Sequence, residues 1–94
     1  MIKSFAEGDT ERLFQGLRPR KLPNDIWKRG ARKLLILHAA SEITELRVPP
    51  GNRLEKLKGD REGQYNIRIN EQWRVCFQWR EGNAYKVAIT DYHD

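Results

Sequence analysis

The stretch from 65 to 79 constrains the fold of this chain more than any other. Its apolar residues lie at odd positions, with polar or small residues between them. This period of two predicts strands that are buried on one face only. The interruption at 70–72 divides the stretch into the two strands of a hairpin. A three-residue loop, Asn70-Glu71-Gln72, keeps the apolar face continuous, because a slip of one residue would turn every side chain to the other face.

The loop length also predicts the register of the hairpin. The apolar pairs would be Ile69 with Trp73, Ile67 with Val75, and Tyr65 with Phe77. On the opposite face Arg68 would lie directly across from Arg74. Because like charges across a strand pair repel each other, either the two side chains separate in solvent or this face receives an anion.

Two helices are expected before the hairpin. The first would begin at the N-cap Asp9 and close near Gly16, and the second would begin at the cap Asn24 and run to about Ser41. Spacings of three and four predict one buried stripe on the second helix, formed by Trp27, Ala31, Leu34, Leu35 and His38.

Three further strands are expected, at 1–6, at 53–58 and after a three-residue turn at 81–83. The last strand would continue the apolar face and pair Trp79 with Tyr85, Phe77 with Val87 and Val75 with Ile89. The same register would place Thr90 opposite Arg74, with Tyr92 as a diagonal neighbour. Helices grouped on one face of consecutive antiparallel strands define an α+β fold. We expect an N-terminal strand and two helices on one face of a mainly antiparallel sheet.

Length and charge limit the class of protein. The 94 residues form one domain, 1–94. The 18 basic residues against 13 acidic ones give a net charge of +5. Such an excess suggests a polyanionic partner, commonly nucleic acid, although simple solubility accounts for the charge equally well. The segment 18–33 is the most basic part of the sequence.

The same composition argues against other classes. Cys76 is the only cysteine, and there are two histidines, so neither a disulfide nor a structural zinc site is expected. The opening residues lack a signal-peptide core, and the aliphatic run at 34–37 is too short to span a bilayer. We expect a soluble cytoplasmic protein without a metal, a cofactor or a membrane partner.

Asp91-Tyr92-His93 near the end of the sequence is the candidate for chemistry. A single histidine there is commonly just solvated, but Tyr92, Arg74 and Lys58 are its expected neighbours. RNA can be cleaved by its own 2′-hydroxyl, which requires a base, an acid and cations for the phosphorane charge, and no metal. Histidine titrates near neutral pH, and arginine offers a rigid charged fork to phosphate.

Several segments together carry a family resemblance. They are 1–5, the Pro-Pro-Gly-Asn-Arg loop at 49–53, Leu57-Lys58-Gly59-Asp60-Arg61-Glu62-Gly63, 72–77 and Asp91-Tyr92-His93. In combination they resemble the HigB family of bacterial toxins, part of the RelE-like superfamily. The resemblance covers nearly the whole chain.

The resemblance implies a RelE-like fold and a toxin that cleaves mRNA, typically in the ribosomal A site. It also implies a cognate helix-turn-helix antitoxin as partner, with operator DNA bound only through the toxin–antitoxin complex. Lys58 and Arg74 would contact the scissile phosphate, Tyr92 would stack on or orient a nucleotide, and His93 would transfer a proton, with Asp91 beside them.

Other residues and functions stay open. Arg68, from the register, and Arg61, from the Lys-Gly-Asp-Arg turn, are candidate RNA contacts. The basic residues at 18–33 could bind ribosomal RNA or an acidic antitoxin segment. Glu55 occupies a position where some family members have a catalytic histidine, so the division of acid and base roles between Glu55 and His93 is open. The alternatives are a module that docks on the ribosome or antitoxin without cutting RNA, and a co-repressor that acts through its antitoxin.

Overall fold

Two helices and a four-stranded sheet form the fold. The structure, a computed structural model, describes residues 1–57 and 63–92. The helices are α1 (Gly8–Phe14) and α2 (Trp27–Ala39), and the strands are β1 (Glu55–Lys56), β2 (Gln64–Arg68), β3 (Trp73–Arg80) and β4 (Asn83–Asp91). The strands form one antiparallel sheet in the order β1-β2-β3-β4, which confirms the α+β class.

The hairpin of β2 and β3 has the predicted register. Ile67 pairs with Val75, Tyr65 with Phe77 and Arg68 with Arg74. In the turn, the Asn70 side-chain oxygen accepts hydrogen bonds from the backbone N–H groups of Gln72 and Trp73, both 2.8 Å long. Ile67 and Val75 are fully buried, so this hairpin forms the central wall of the core.

The predicted turn between β3 and β4 is wrong. It has two residues, Glu81 and Gly82, both in the left-handed region with φ of 51° and 78°. Two-residue turns of this kind match the twist of paired strands. Trp79 therefore pairs with Ala84 instead of Tyr85, and Ala84 is fully buried.

A bulge in β4 restores the expected pairing further along. The ladder shifts between Cys76 and Gln78, so that Phe77 faces an irregular segment instead of pairing with Val87. Lys86, with a φ of 52°, is the extra residue of β4. Beyond the bulge, Val75 pairs with Ile89 as predicted.

The N-terminal segment lies along β4 but is not a continuous strand. It makes two isolated parallel bridges, Ile2 with Ala84 and Phe5 with Val87. Between them the Lys86 N–H donates to the Ser4 hydroxyl at 2.9 Å. The bulge at Lys86 thus interrupts the ladder and limits the predicted first strand to two bridges.

Helix α1 begins two residues earlier than predicted, because its N-cap is Glu7 and not Asp9. The Glu7 carboxylate accepts from the N–H groups of Asp9 and Thr10 at 2.9 and 2.8 Å. The Asp9 carboxylate accepts instead from the N–H groups of Arg20 and Lys21, which lowers its pKa. Asp9 thereby connects α1 to the loop that leads into α2.

Helix α2 begins after a 3-10 turn at Asn24–Ile26 and ends at Ala39, two residues before the predicted end. The buried side of α2 contains Leu34 and Leu37, and the inclusion of Leu35 was wrong because Leu35 is 59% exposed. An α-helix has about 3.6 residues per turn, so Leu37 lies on the same face as Leu34, whereas the adjacent Leu35 points in another direction. His38 packs as expected, and its Nδ1 accepts from the Ile2 N–H at 3.1 Å.

Substitution of Glu45 is expected to change acid stability. The 3-10 turn Ile43–Arg47 begins with a capping box between Glu42 and Glu45. The Glu45 carboxylate accepts hydrogen bonds from the Ser41 hydroxyl (2.8 Å) and from the backbone N–H groups of Ser41 and Glu42. These bonds lower the Glu45 pKa, with the Ser41 side chain as the largest cause. A lowered carboxyl pKa contributes stability above the unfolded-state value of 4.5, and this contribution is lost as the pH falls through the lower folded-state value.

We therefore expect Glu45→Gln to unfold at lower urea concentration at pH 7 and to lose less stability than the wild type between pH 5 and about pH 3. Glu11→Gln, at an exposed site on α1, is the matched control and should follow the wild-type profile. Parallel profiles for Glu45→Gln and the wild type would contradict the role of this cap.

Candidate active site

Arg74 of β3 is held at one end of its guanidinium group. Its Nη1 lies 2.7 Å from the side-chain oxygen of Asn66, 3.1 Å from a carboxylate oxygen of Glu55 and 3.5 Å from the carbonyl oxygen of Arg53. Nε and Nη2 have no acceptor among residues 1–57 and 63–92. The side chain is 16% exposed, so the unpaired edge of the guanidinium can receive a phosphate oxygen.

Tyr92 lies against Arg74, as the predicted register implied. Its ring centre is 5.7 Å from the Arg74 Cζ, and Thr90 is the residue paired with Arg74 across the strands. The Tyr92 N–H donates to the carbonyl oxygen of Gln72, which fastens the end of β4 to the β2–β3 turn. An aromatic ring next to a cation offers a base-stacking surface beside a phosphate contact.

Asp91 is the last residue of β4 and lies next to the β2–β3 turn. It pairs with Trp73 across the strands, and its carboxylate accepts from the Gln72 side chain at 3.1 Å. It therefore adjoins Tyr92 in sequence and contacts the β2–β3 turn through Gln72.

Asn66 belongs to this site and was missed by the sequence analysis. It pairs with Glu55 on one side and with Cys76 on the other, and its side chain is fully buried. Its oxygen accepts from Arg74, while its Nδ2 has no hydrogen-bond partner within the described part of the chain. An unpaired buried donor costs about 1–3 kcal/mol. The only available signal was an asparagine at a polar position of β2, which the alternating pattern assigns to solvent.

Arg68 is opposite Arg74 in the ladder, as predicted, but it extends the cationic surface in another direction. It lines a cleft together with basic residues of α2. The structure thus brings Glu55, Arg74 and Tyr92 together, with Asp91 adjacent and Arg68 at the border. The predicted site residues Lys58, Arg61 and His93 lie outside the described residues.

Glu55 is one of the two residues for which the sequence leaves an acid or base role open. Its side chain is 50% exposed and forms the salt bridge with Arg74. A phosphate bound by the open edge of Arg74 would therefore lie close to this carboxylate. The arrangement provides a cation for charge on phosphorus, an aromatic surface for a base and a carboxylate able to accept a proton.

Comparison with solved structures defines the class of fold. A variant of YafQ from E. coli matches 97% of this chain and 93% of its own, with a TM-score of 0.58 and 13% sequence identity. At this identity the match concerns the fold alone. In the described part of the chain, no helix has the length and apolar character needed to cross a membrane.

Sequence comparison defines the family. The model of the HigB-like toxin family, described as the RelE-like toxin of the type II toxin–antitoxin system HigB, matches residues 3–93. Toxin HigB-1 of Vibrio cholerae is 46% identical over 95 residues, which covers 100% of this chain and 96% of the relative. Endoribonuclease HigB of Proteus vulgaris is 37% identical over 93 residues, which covers 99% of this chain and 100% of the relative. The chain belongs to the HigB-like family of type II toxins.

Proposed function

We propose that this toxin is an endoribonuclease that cleaves mRNA on the ribosome by attack of a 2′-hydroxyl on the adjacent phosphorus, without a metal, and so inhibits translation and growth. The observation that carries the proposal is the guanidinium of Arg74, which is anchored at Nη1, has no acceptor for Nε and Nη2 among the described residues, and is flanked by Tyr92. The endoribonuclease name of the Proteus vulgaris relative supports it.

Each group has one role in the proposed reaction. Arg74 holds a non-bridging phosphate oxygen and stabilises the charge of the phosphorane. Tyr92 stacks on a neighbouring base. Lys58, with Arg61 near it in sequence, adds positive charge, and His93 donates a proton to the leaving 5′-oxygen. Glu55, next to Arg74, accepts the proton of the attacking 2′-hydroxyl.

The pH dependence of cleavage tests the acid and base roles. A base must be deprotonated and an acid protonated, so Glu55 should produce the rise in rate at low pH and His93 the fall at high pH. We expect Glu55→Gln to remove the rise, which is the acidic limb of the pH–rate profile, and His93→Ala to remove the fall, which is its alkaline limb. The rates are measured in single turnover by primer extension on mRNA bound to ribosomes in a reconstituted translation mixture.

Two outcomes would contradict the proposal at different levels. If the wild-type chain creates no new mRNA ends on ribosomes, the nuclease activity is wrong. If cleavage occurs and Glu55→Gln retains both limbs, only the role of Glu55 as base is wrong. Glu81→Gln, which replaces an exposed glutamate of the β3–β4 turn, is a matched control and should leave both limbs intact.

A non-cleaving module is the second candidate. The salt bridge between Glu55 and Arg74 favours it, because the carboxylate competes with phosphate for the guanidinium. Such a chain would co-sediment with ribosomes, or bind its antitoxin, without producing new mRNA ends.

The wider setting follows from the family. A toxin of a type II system has an antitoxin partner. We infer that this antitoxin carries a helix-turn-helix, that the complex binds operator DNA through it, and that the toxin acts in the cytoplasm.

A further inference from the structure

A second cationic site lies in a cleft between α2 and the β2–β3 turn. The cleft has a volume of about 650 Å³. Among the described residues that line it, four are basic, namely Arg29, Arg32 and Lys33 of α2 and Arg68 at the end of β2, and one, Glu71, is acidic.

The positive charges of the cleft have no salt-bridge partner within the described residues. Within 1–57 and 63–92 the one salt bridge is that of Arg74 with Glu55, so none of the four cleft cations has a carboxylate within 4 Å there. Partial burial and then the charges of Arg32 and Arg29 lower the Lys33 pKa. Converging cations without counter-charges favour the binding of an anion.

Lys33 is held in place by a buried amide. Asn52 is fully buried, and its Nδ2 donates to the carbonyl oxygens of Leu46 and Val48 at 3.1 and 3.2 Å. These two bonds fix the Asn52 side-chain oxygen, which accepts a hydrogen bond from the Lys33 ammonium group. The ammonium group is thus positioned at the cleft before any ligand arrives.

Arg68 connects the cleft with the candidate active site. Arg68 lines the cleft and is also the residue paired with Arg74 across the β2–β3 hairpin. We infer that the cleft binds the phosphodiester backbone of RNA, so that Arg74, Arg68 and the cations of α2 form one track for phosphates. This inference rests on the proposed RNA cleavage and deepens it by adding a second contact region. The shared border with Arg74 favours RNA over an acidic peptide, because one strand can then occupy both sites.

A charge-matched pair of variants tests the track. Arg29→Gln/Arg32→Gln removes two exposed cations of the cleft, and Lys3→Gln/Arg47→Gln removes two exposed cations elsewhere. The probe is a short single-stranded RNA with 2′-O-methyl groups at every nucleotide, which resists 2′-hydroxyl attack. Binding is measured by fluorescence anisotropy from 50 to 200 mM salt, and ribosome binding by co-sedimentation with an empty A site.

If the cleft binds the substrate strand, the cleft variant should bind the probe more weakly, and the slope of log affinity against log salt should become shallower by about 1.4, or about 0.7 for each lost phosphate contact. The control variant should change less than the cleft variant. Unchanged probe binding with loss of ribosome co-sedimentation would assign the cleft to ribosomal RNA and would overturn the single track with Arg74.

Equal losses in the cleft and control variants, or no loss in either assay, would overturn the inference. Loss of binding to a poly-glutamate peptide alone would assign the cleft to an acidic protein and would also overturn it. Both assays measure binding, so a wild-type chain that binds through the cleft and yet cuts no mRNA would contradict the proposed cleavage separately.

Discussion

Replacement of Arg74 by alanine is expected to lower the rate of mRNA cleavage by about 10²–10³-fold, the usual loss when one preorganised donor to a developing anion is removed. The expectation rests on the anchored Nη1, which fixes the direction of the open guanidinium edge. The rate is measured in single turnover on ribosome-bound mRNA, with thermal unfolding measured in parallel.

Arg74→Lys separates charge from geometry. Lysine keeps the positive charge but cannot both hold Asn66 and present a planar fork to phosphate. We expect it to recover only a small part of the lost rate. Full activity of Arg74→Lys would mean that the anchored fork is unimportant, and full activity of Arg74→Ala would remove Arg74 from the site.

Replacement of Asn66 by leucine is expected to reduce activity without reducing stability. Leucine is close to asparagine in shape and removes the buried Nδ2 that has no partner among the described residues, so the unfolding temperature should be unchanged or higher. It also removes the 2.7 Å bond that holds Arg74. Misplacement of a catalytic group by about 1 Å can cost up to about a hundredfold in rate, and we expect a loss in kcat of about ten- to a hundredfold.

Asn66→Asp is the conservative companion. It keeps an oxygen for Arg74 and should restore the position of the guanidinium, although the added negative charge should weaken RNA binding and appear mainly in KM. An Asn66→Leu variant that is less stable and fully active per folded molecule would make Asn66 a purely structural residue. The opposite combination, stable and slow, identifies it as a positioning residue of Arg74.

The two halves of the sheet show what the sequence could predict. The β2–β3 register follows from alternation alone, because the polar interruption there has an odd length. The β3–β4 register was wrong near the turn and correct beyond it. The turn is one residue shorter than expected, and the bulge at Lys86 adds one residue back, so the two differences cancel at Val75 and Ile89. Both depend on left-handed backbone at non-glycine residues, which hydrophobic patterning does not reveal.

The candidate site was predictable to a similar degree. The contact of Arg74 with Tyr92 follows from register and was expected. The burial of Asn66 was not, because a polar residue at an outward position of a strand is normally solvated. Only the three-dimensional arrangement shows that the Arg74 side chain bonds to Asn66 and that the asparagine is excluded from water.

The two bridges between the N-terminal segment and β4 also affect the order of folding. Ile2 meets Ala84 and Phe5 meets Val87, so contacts that close this side of the core join residues from opposite ends of the chain. Such contacts require closure of a loop nearly as long as the domain, and folding slows as the separation of contacting residues grows. The local β2–β3 hairpin can form early, whereas the outer edge of β4 is completed only when the first residues return to it.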